Sequence, residues 1–196
     1  MSTRQNMQDL IEQMNHLKRI LSVEIQKKQD EFLYKIEGKR IKFEEATRRY
    51  HKTLVTRIPI YILKASLLNL LIAPVIWFCI VPTVFMDLVA SVYQFICFPV
   101  YKIPKVRRDD YIVVDRHALE YLNALEKLNC VYCGYVNGLI AYIQEIGART
   151  EQYWCPIKHA RKIGDIHSRY KNFLEYGDAE EYSKNMEKIR RDFDDL

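Results

Sequence analysis

Between Lys64 and Asp87 the chain runs for 22 residues without a charge, A-S-L-L-N-L-L-I-A-P-V-I-W-F-C-I-V-P-T-V-F-M. About 20 apolar residues in a helix suffice to cross the hydrocarbon core of a bilayer. A second uncharged run, Leu88 to Tyr101, follows Asp87 directly. The stretch is too evenly apolar to show the polar face expected of a helix on a soluble core. It is read as membrane-embedded, and the rest of the chain must be arranged around it. A buried pair of core helices in a soluble protein is the alternative.

Charge supplies an orientation. Residues 1–57 hold 13 Lys/Arg against 8 Asp/Glu, while residues 109–196 hold 12 against 16. Arg48, Arg49, Lys52 and Arg57 precede the apolar stretch, and Lys102, Lys105, Arg107 and Arg108 follow it. Basic flanks mark the cytoplasmic side. Both termini are therefore expected in the cytoplasm, at the inner membrane, which requires an even number of passes. The spacing predicts a transmembrane helical hairpin within 58–103, with passes near 59–80 and 83–101 and a turn at Val81-Pro82. A shallow re-entrant hairpin meets the same condition. Charge bracketing an apolar segment suits lipid headgroups better than a nucleic-acid groove. No helix-turn-helix, RNP-like or finger pattern is present, so no nucleic-acid partner is expected.

Residues 4–56 lack proline and contain one glycine, Gly38. They are read as a long coiled-coil-like helix forming a first segment, 1–57. Met7, Leu10, Met14, Leu17 and Leu21 keep the three-and-four spacing of a helix seam. That seam either packs within its own domain or joins two chains as a homo-oligomer through residues 7–25. His16, His51 and His117 read as ordinary helix-surface residues.

The third segment, 104–196, carries the metal-like pattern. Cys130-x₂-Cys133-Gly134 is followed by Cys155-x₃-His159. Thiolates and imidazole at these local spacings suit a tetrahedral zinc ion, and an iron–sulfur cluster uses the same donors. The four residues are the candidate metal ligands, with Zn²⁺ as the cofactor and an iron–sulfur cluster as the alternative. His167, Glu145 and Glu151 are nearby donors. Inert packed thiols are a further reading. A helix over Cys130–Gln152 must bend, at Gly147, for the two pairs to meet. Other helices are expected at His117–Lys127, Ile163–Tyr176 and Ala179–Phe193, with a short extended piece at Tyr111–Val114 and a stop and cap at Gly177-Asp178. Cys155 and His159 are also the right types for a thiolate–imidazolium pair, although no catalytic motif surrounds them.

The block A-R-T-E-Q-Y-W-C-P-I-K-H-A-R, from Ala148 to Arg161, resembles one in uncharacterised bacterial membrane-associated proteins. The resemblance implies a bacterial membrane setting and no particular activity. The expected protein is thus an all-α membrane protein. It has a coiled-coil-like N-terminal helix, a hydrophobic hairpin and a small cytoplasmic helical domain with a Cys₃His clasp. Its expected role is that of a membrane-anchored metal-binding interaction or regulatory module. A membrane-tethered iron–sulfur redox protein and a thiol-dependent enzyme using Cys155 and His159 are the alternatives.

Overall fold

The computed structural model describes residues 3–32, 34–37, 40–164 and 166–196; the side chains of residues 3–12, 14, 15, 37 and 40 lie outside that description. Its elements are α1 (Thr3–Glu31), β1 (Tyr34–Glu37), β2 (Arg40–Phe43), α2 (Glu45–Thr53), α3 (Ile58–Lys64), α4 (Leu67–Phe78), α5 (Ile80–Tyr101), α6 (Ala124–Trp154) and α7 (Ala179–Ile189). The fold is predominantly helical, as the sequence predicts. Backbone contacts gather it into two units, Met1–Ile58 with Asp115–Lys127 and Pro59–Val114 with Leu128–Leu196.

In the first unit the single long helix expected over residues 4–56 is divided. α1 ends at Glu31, and β1 pairs antiparallel with β2, Tyr34 opposite Phe43 and Ile36 opposite Ile41. Tyr34, Ile36, Ile41 and Phe43 alternate with Lys35 and Lys42, the two-residue period of a strand. β-Branched and aromatic side chains favour that pleated surface over a helix. The Tyr34 and Phe43 rings meet at 5.7 Å. α2 is tied to the segment before α6. Arg48 Nε donates to Glu120 Oε1 at 2.8 Å, and Asn123 Nδ2 donates to the Thr56 carbonyl at 3.2 Å. The Arg48 hydrogen bond and charge hold the Glu120 carboxyl below its usual range. His51 is half-buried, not a surface residue. Its ring stands edge-on to Phe43 and Tyr121, each at 5.3 Å.

Asn123 starts α6 where a helix was expected to begin at His117. Its Oδ1 accepts from Glu126 N–H at 3.0 Å, and Glu126 Oε2 accepts from Asn123 N–H at 2.9 Å. This reciprocal capping box satisfies two backbone donors at the helix start. Residues 116–118 form only a 3₁₀ turn.

In the second unit α4 and α5 do not form the expected hairpin. One residue, Cys79, separates them, and its φ of −61° and ψ of −14° remain right-handed helical. Reversing a helix takes a loop of about two to five residues. Pro82 explains the break without a turn. It has no N–H for the Phe78 carbonyl, and its ring crowds that carbonyl. Thr83 then bonds back to Cys79, N–H to carbonyl at 3.3 Å and Oγ1 to carbonyl at 2.6 Å. The result is one interrupted apolar helix, Leu67–Tyr101.

α5 ends at Lys102, the one described non-glycine residue with positive φ, at 57°. Lys102 N–H donates to Pro99 O at 3.3 Å and Ile103 N–H to Phe98 O at 2.9 Å. This is the Schellman pattern, and Ile103 packs in the same buried cluster as Phe98. The cap turns the chain back. Residues 103–114 then run beside α5 and α6, with a 3₁₀ turn at Arg108–Asp110. Val106 meets Gln94, Pro104 meets Arg149 and Val113 meets Gly134. α6 runs parallel to α5, since Ile76 pairs with Tyr132, Gln94 with Tyr142 and Tyr93 with Thr150.

Two glycines of α6 make room for the returning segment. A Cβ on Gly138 would lie 2.7 Å from the Tyr111 carbonyl oxygen and 2.8 Å from Ile112 Cα. One on Gly134 would lie 3.1 Å from the Val113 oxygen. The core formed there holds Phe98, Ile103, Val106, Leu139, Tyr142 and Ile146. Beyond α6 the chain is mostly irregular. The helix expected at Ile163–Tyr176 is replaced by a 3₁₀ turn at 170–172, because Leu174 is taken by a parallel bridge to Ile157. With that helix absent, Gly177, at φ 87°, stops none, but Asp178 does cap α7, its Oδ1 accepting from Glu181 N–H at 2.9 Å.

Candidate functional site

α6 is continuous through Gly147, so the expected bend is absent. A Cβ there would meet nothing within 4 Å, and no neighbour forces the helix to turn. Cys130 and Cys133 share one face of α6, and Cys155 follows its end. Twenty-five helical steps between Cys130 and Cys155 amount to about 37 Å. Zinc–sulfur bonds are about 2.3 Å, so Cys130, Cys133, Cys155 and His159 of one chain are not brought together around an ion or a cluster. Among the described residues no group of three His, Cys, Asp or Glu side chains is placed to hold a metal.

His159 is engaged elsewhere. Its N–H donates to Tyr170 Oη at 2.9 Å, its ring stacks on Tyr170, and Nε2 stands 4.0 Å from Glu151 Oε1. No hydrogen bond joins it to Cys155. Glu151 also faces His167 Nε2 at 3.1 Å, off the line of a hydrogen bond. His167 Nδ1 accepts from Arg169 N–H at 3.2 Å. Glu145 is committed to Arg149 at 2.8 Å and to Ser168 Oγ at 2.5 Å.

The feature that stands out is the reversed polarity of α5. At about 100° per residue, its exposed side chains fall on one arc of about 200°, bounded by Val84 and Met86. Val84, Phe85, Leu88, Val92, Phe95 and Ile96 lie on that arc, and Phe95 is 71% exposed. The inward arc carries Asp87, Ser91 and Gln94, all buried or half-buried. A soluble helix is arranged the other way round. None of the apolar window in Leu67–Tyr101 is buried inside the protein, and it is long and apolar enough to cross a membrane. α4 continues the surface, with Leu67, Leu68, Leu71 and Val75 exposed. An apolar groove of about 410 Å³ carries it onto α6, between Met86, Val89 and Tyr93 on one side and Ile143, Gly147 and Trp154 on the other.

Behind that surface the inward polar groups are paired in successive layers. Asp87 accepts from Arg108, from Tyr135 Oη at 2.8 Å and from Ser91 Oγ at 3.3 Å. Gln94 reads the returning segment at both ends: Oε1 accepts from Val106 N–H at 2.6 Å, and Nε2 donates to the Val106 carbonyl at 3.3 Å and to Tyr142 Oη at 2.9 Å. Arg149 donates to Glu145 and, at 2.7 Å, to the Pro104 carbonyl. Arg169 is 1% exposed. It donates to Gln152 Oε1 at 2.5 Å, Asp195 Oδ1 at 2.6 Å and the Asp192 carbonyl at 2.9 Å. Gln152 Nε2 donates to the Ile189 and Asp192 carbonyls. Buried polar groups cost little only when paired in this way. The C-terminal residues are thus held to α6 by Arg169 and Gln152, neither of which sequence spacing singled out. The signal that could have found the polar inner face of α5, though not its partners, was Asp87 and Gln94 standing seven residues apart, two helical turns on one face.

No family model, curated protein or solved structure matches this chain.

Proposed function

We propose that this chain is a membrane-anchored interaction module, held on lipid through α4 and α5 and presenting α1 to a second copy of itself. The observation that carries the reading is the apolar outer face of α5 over a paired polar inner face. Moving one large apolar side chain out of water stabilises by about 1.5–3 kcal/mol. The six outward residues named on α5 alone therefore favour lipid by roughly 10 kcal/mol. Lys102 and Lys105, directly after α5, suit anionic headgroups.

Self-association is supported by α1, a helix of 29 residues. Leu17, Leu21 and Ile25 of the seam are exposed at 64, 61 and 46%; the side chains of Met7, Leu10 and Met14 lie outside the described residues. An isolated helix of this kind is marginal in water, and pairing two copies would bury the stripe.

Flotation with liposomes tests the anchor. The triple variant Leu88→Asp, Val92→Asp, Phe95→Asp should stay folded, because those side chains leave the core untouched, and should lose flotation. Undiminished flotation would refute the reading. Chemical crosslinking tests α1: Leu17→Asp should abolish the crosslinked dimer while membrane binding persists. A zinc ion or iron–sulfur cluster on Cys130, Cys133, Cys155 and His159 would need ligands from more than one chain. Metal analysis with a visible spectrum of the purified protein tests for either.

A further inference from the structure

We infer that α5 lies flat in one leaflet of a bilayer, as an in-plane anchor, and does not span it. The inference rests on the membrane reading above and adds its geometry.

Length argues first. Leu67–Tyr101 is 35 residues, about 52 Å of helix, against a hydrocarbon core of about 30 Å. The chain does not reverse at Cys79, so the excess is not folded into a second pass. Upright, the helix would leave about two-fifths of its apolar length outside that core on one side or the other.

Charge argues second. Arg107, Arg108 and Asp110 are exposed, Arg107 most at 79% of its side chain. The bonds from Arg108 to Asp87 and from Val106 to Gln94 fix them beside the middle of α5. In an upright helix they would sit near the bilayer centre, where a charge costs about 2.5–3.5 kcal/mol or more. Lying flat, the same helix keeps them in water. The centre of its apolar arc points away from both the returning segment and α6, which contact the opposite arc at Gln94, Phe98 and Ala90. The far face of α6, with Asn137 and Gln144, is exposed.

The rim completes the fit. Lys105 Nζ stands 4.8 Å over the Phe95 ring, a cation at the edge of the apolar face. At the end of α5 Tyr101 stacks on Tyr153, and Trp154 stands edge-on to Tyr101. Aromatic and basic side chains of this kind sit at the headgroup level.

The test uses the full chain on phosphatidylcholine–phosphatidylglycerol vesicles, in a background with the native cysteines replaced by serine. Single cysteines at Phe85, Val92, Ile96, Arg107 and Gln144 carry a fluorophore, quenched by aqueous iodide or by lipids spin-labelled at known depths. The expected result is one shallow depth shared by 85, 92 and 96, with iodide quenching several-fold weaker there than at 107 and 144. A depth that deepens toward the middle of α5, with 107 shielded from iodide, would overturn the in-plane anchor and leave the membrane reading standing. No lipid quenching at any position would overturn both. Should the serine background fail to fold, Cys133 of the unaltered chain serves. It is exposed on α6 between the Tyr132 and Tyr135 contacts to Ile76 and Asp87. An impermeant maleimide should label it equally with and without vesicles, and protection by vesicles would refute the proposal.

Discussion

Replacing Gly138 by alanine sets two effects against each other. Alanine improves helix propensity by about 0.8–1 kcal/mol over glycine. The new Cβ, however, would press on backbone, at 2.7 Å from Tyr111 O and 2.8 Å from Ile112 Cα. Backbone cannot swing aside as a flexible side chain can, and overpacking of this kind costs about 1–3 kcal/mol. Gly147→Ala is the matched control, since nothing lies within 4 Å of its Cβ. It should gain the full propensity term. The two variants should therefore differ by about 1–3 kcal/mol, with Gly134→Ala between them. Urea unfolding in detergent micelles, followed by tryptophan emission, measures this. The Trp77 ring meets Tyr132 at a tilt and Trp154 stands edge-on to Tyr101, so both tryptophans report the second unit. If Gly138→Ala proves as stable as Gly147→Ala, the returning segment does not lie on α6 and the packing described above is wrong.

Arg169→Met should lower stability by about 2–4 kcal/mol, because it strands Gln152 Oε1 without its donor and Asp195 without its main partner; proteolysis should then remove residues after Ile189 first. Burial raises the Asp195 carboxyl, but the hydrogen bond and charge of Arg169, helped by Lys171, outweigh it and leave the pKa below its usual value. That contribution is present at neutral pH and disappears as the pH falls below about 4, so Asp195→Asn should be less stable than wild type at pH 7 and equal to it in strong acid. Lys102→Gly should raise stability by about 1 kcal/mol, the usual cost of a side chain at a left-handed position, and an unchanged or lower unfolding midpoint would count against the cap.

The apolar stretch, the helical class and the Asp178 cap were legible in the sequence because each rests on local chemistry. The hairpin was not, because two prolines in an apolar run read equally well as a turn and as a kink; only the helical torsions of Cys79 decide. Ile36 and Phe43 satisfied both a loose helical stripe and a strand alternation, and cross-strand pairing chose the strand. The distance between the two cysteine pairs was illegible for a different reason. Local spacing describes each pair correctly, Cys130 with Cys133 and Cys155 near His159, but says nothing of the helix between. The polar partners of α5 were invisible because each lies 12 to 48 residues away from Asp87 or Gln94.

The pairing of α5 with later residues also imposes an order in time. Tyr135 is made 48 residues after Asp87, and Tyr142 48 after Gln94. At about 5–20 residues per second, a ribosome needs about 2–10 s to supply them. Arg108 follows Asp87 by 21 residues and Val106 follows Gln94 by 12, so for the first part of that interval a nascent α5 lacks these partners, and it lacks Tyr135 and Tyr142 to its end. A central Asp disfavours entry into the bilayer core by about 2.5–3.5 kcal/mol. Translation thus gives α5 a few seconds in which deep insertion is penalised, and then delivers the segment and helix that cover its polar side.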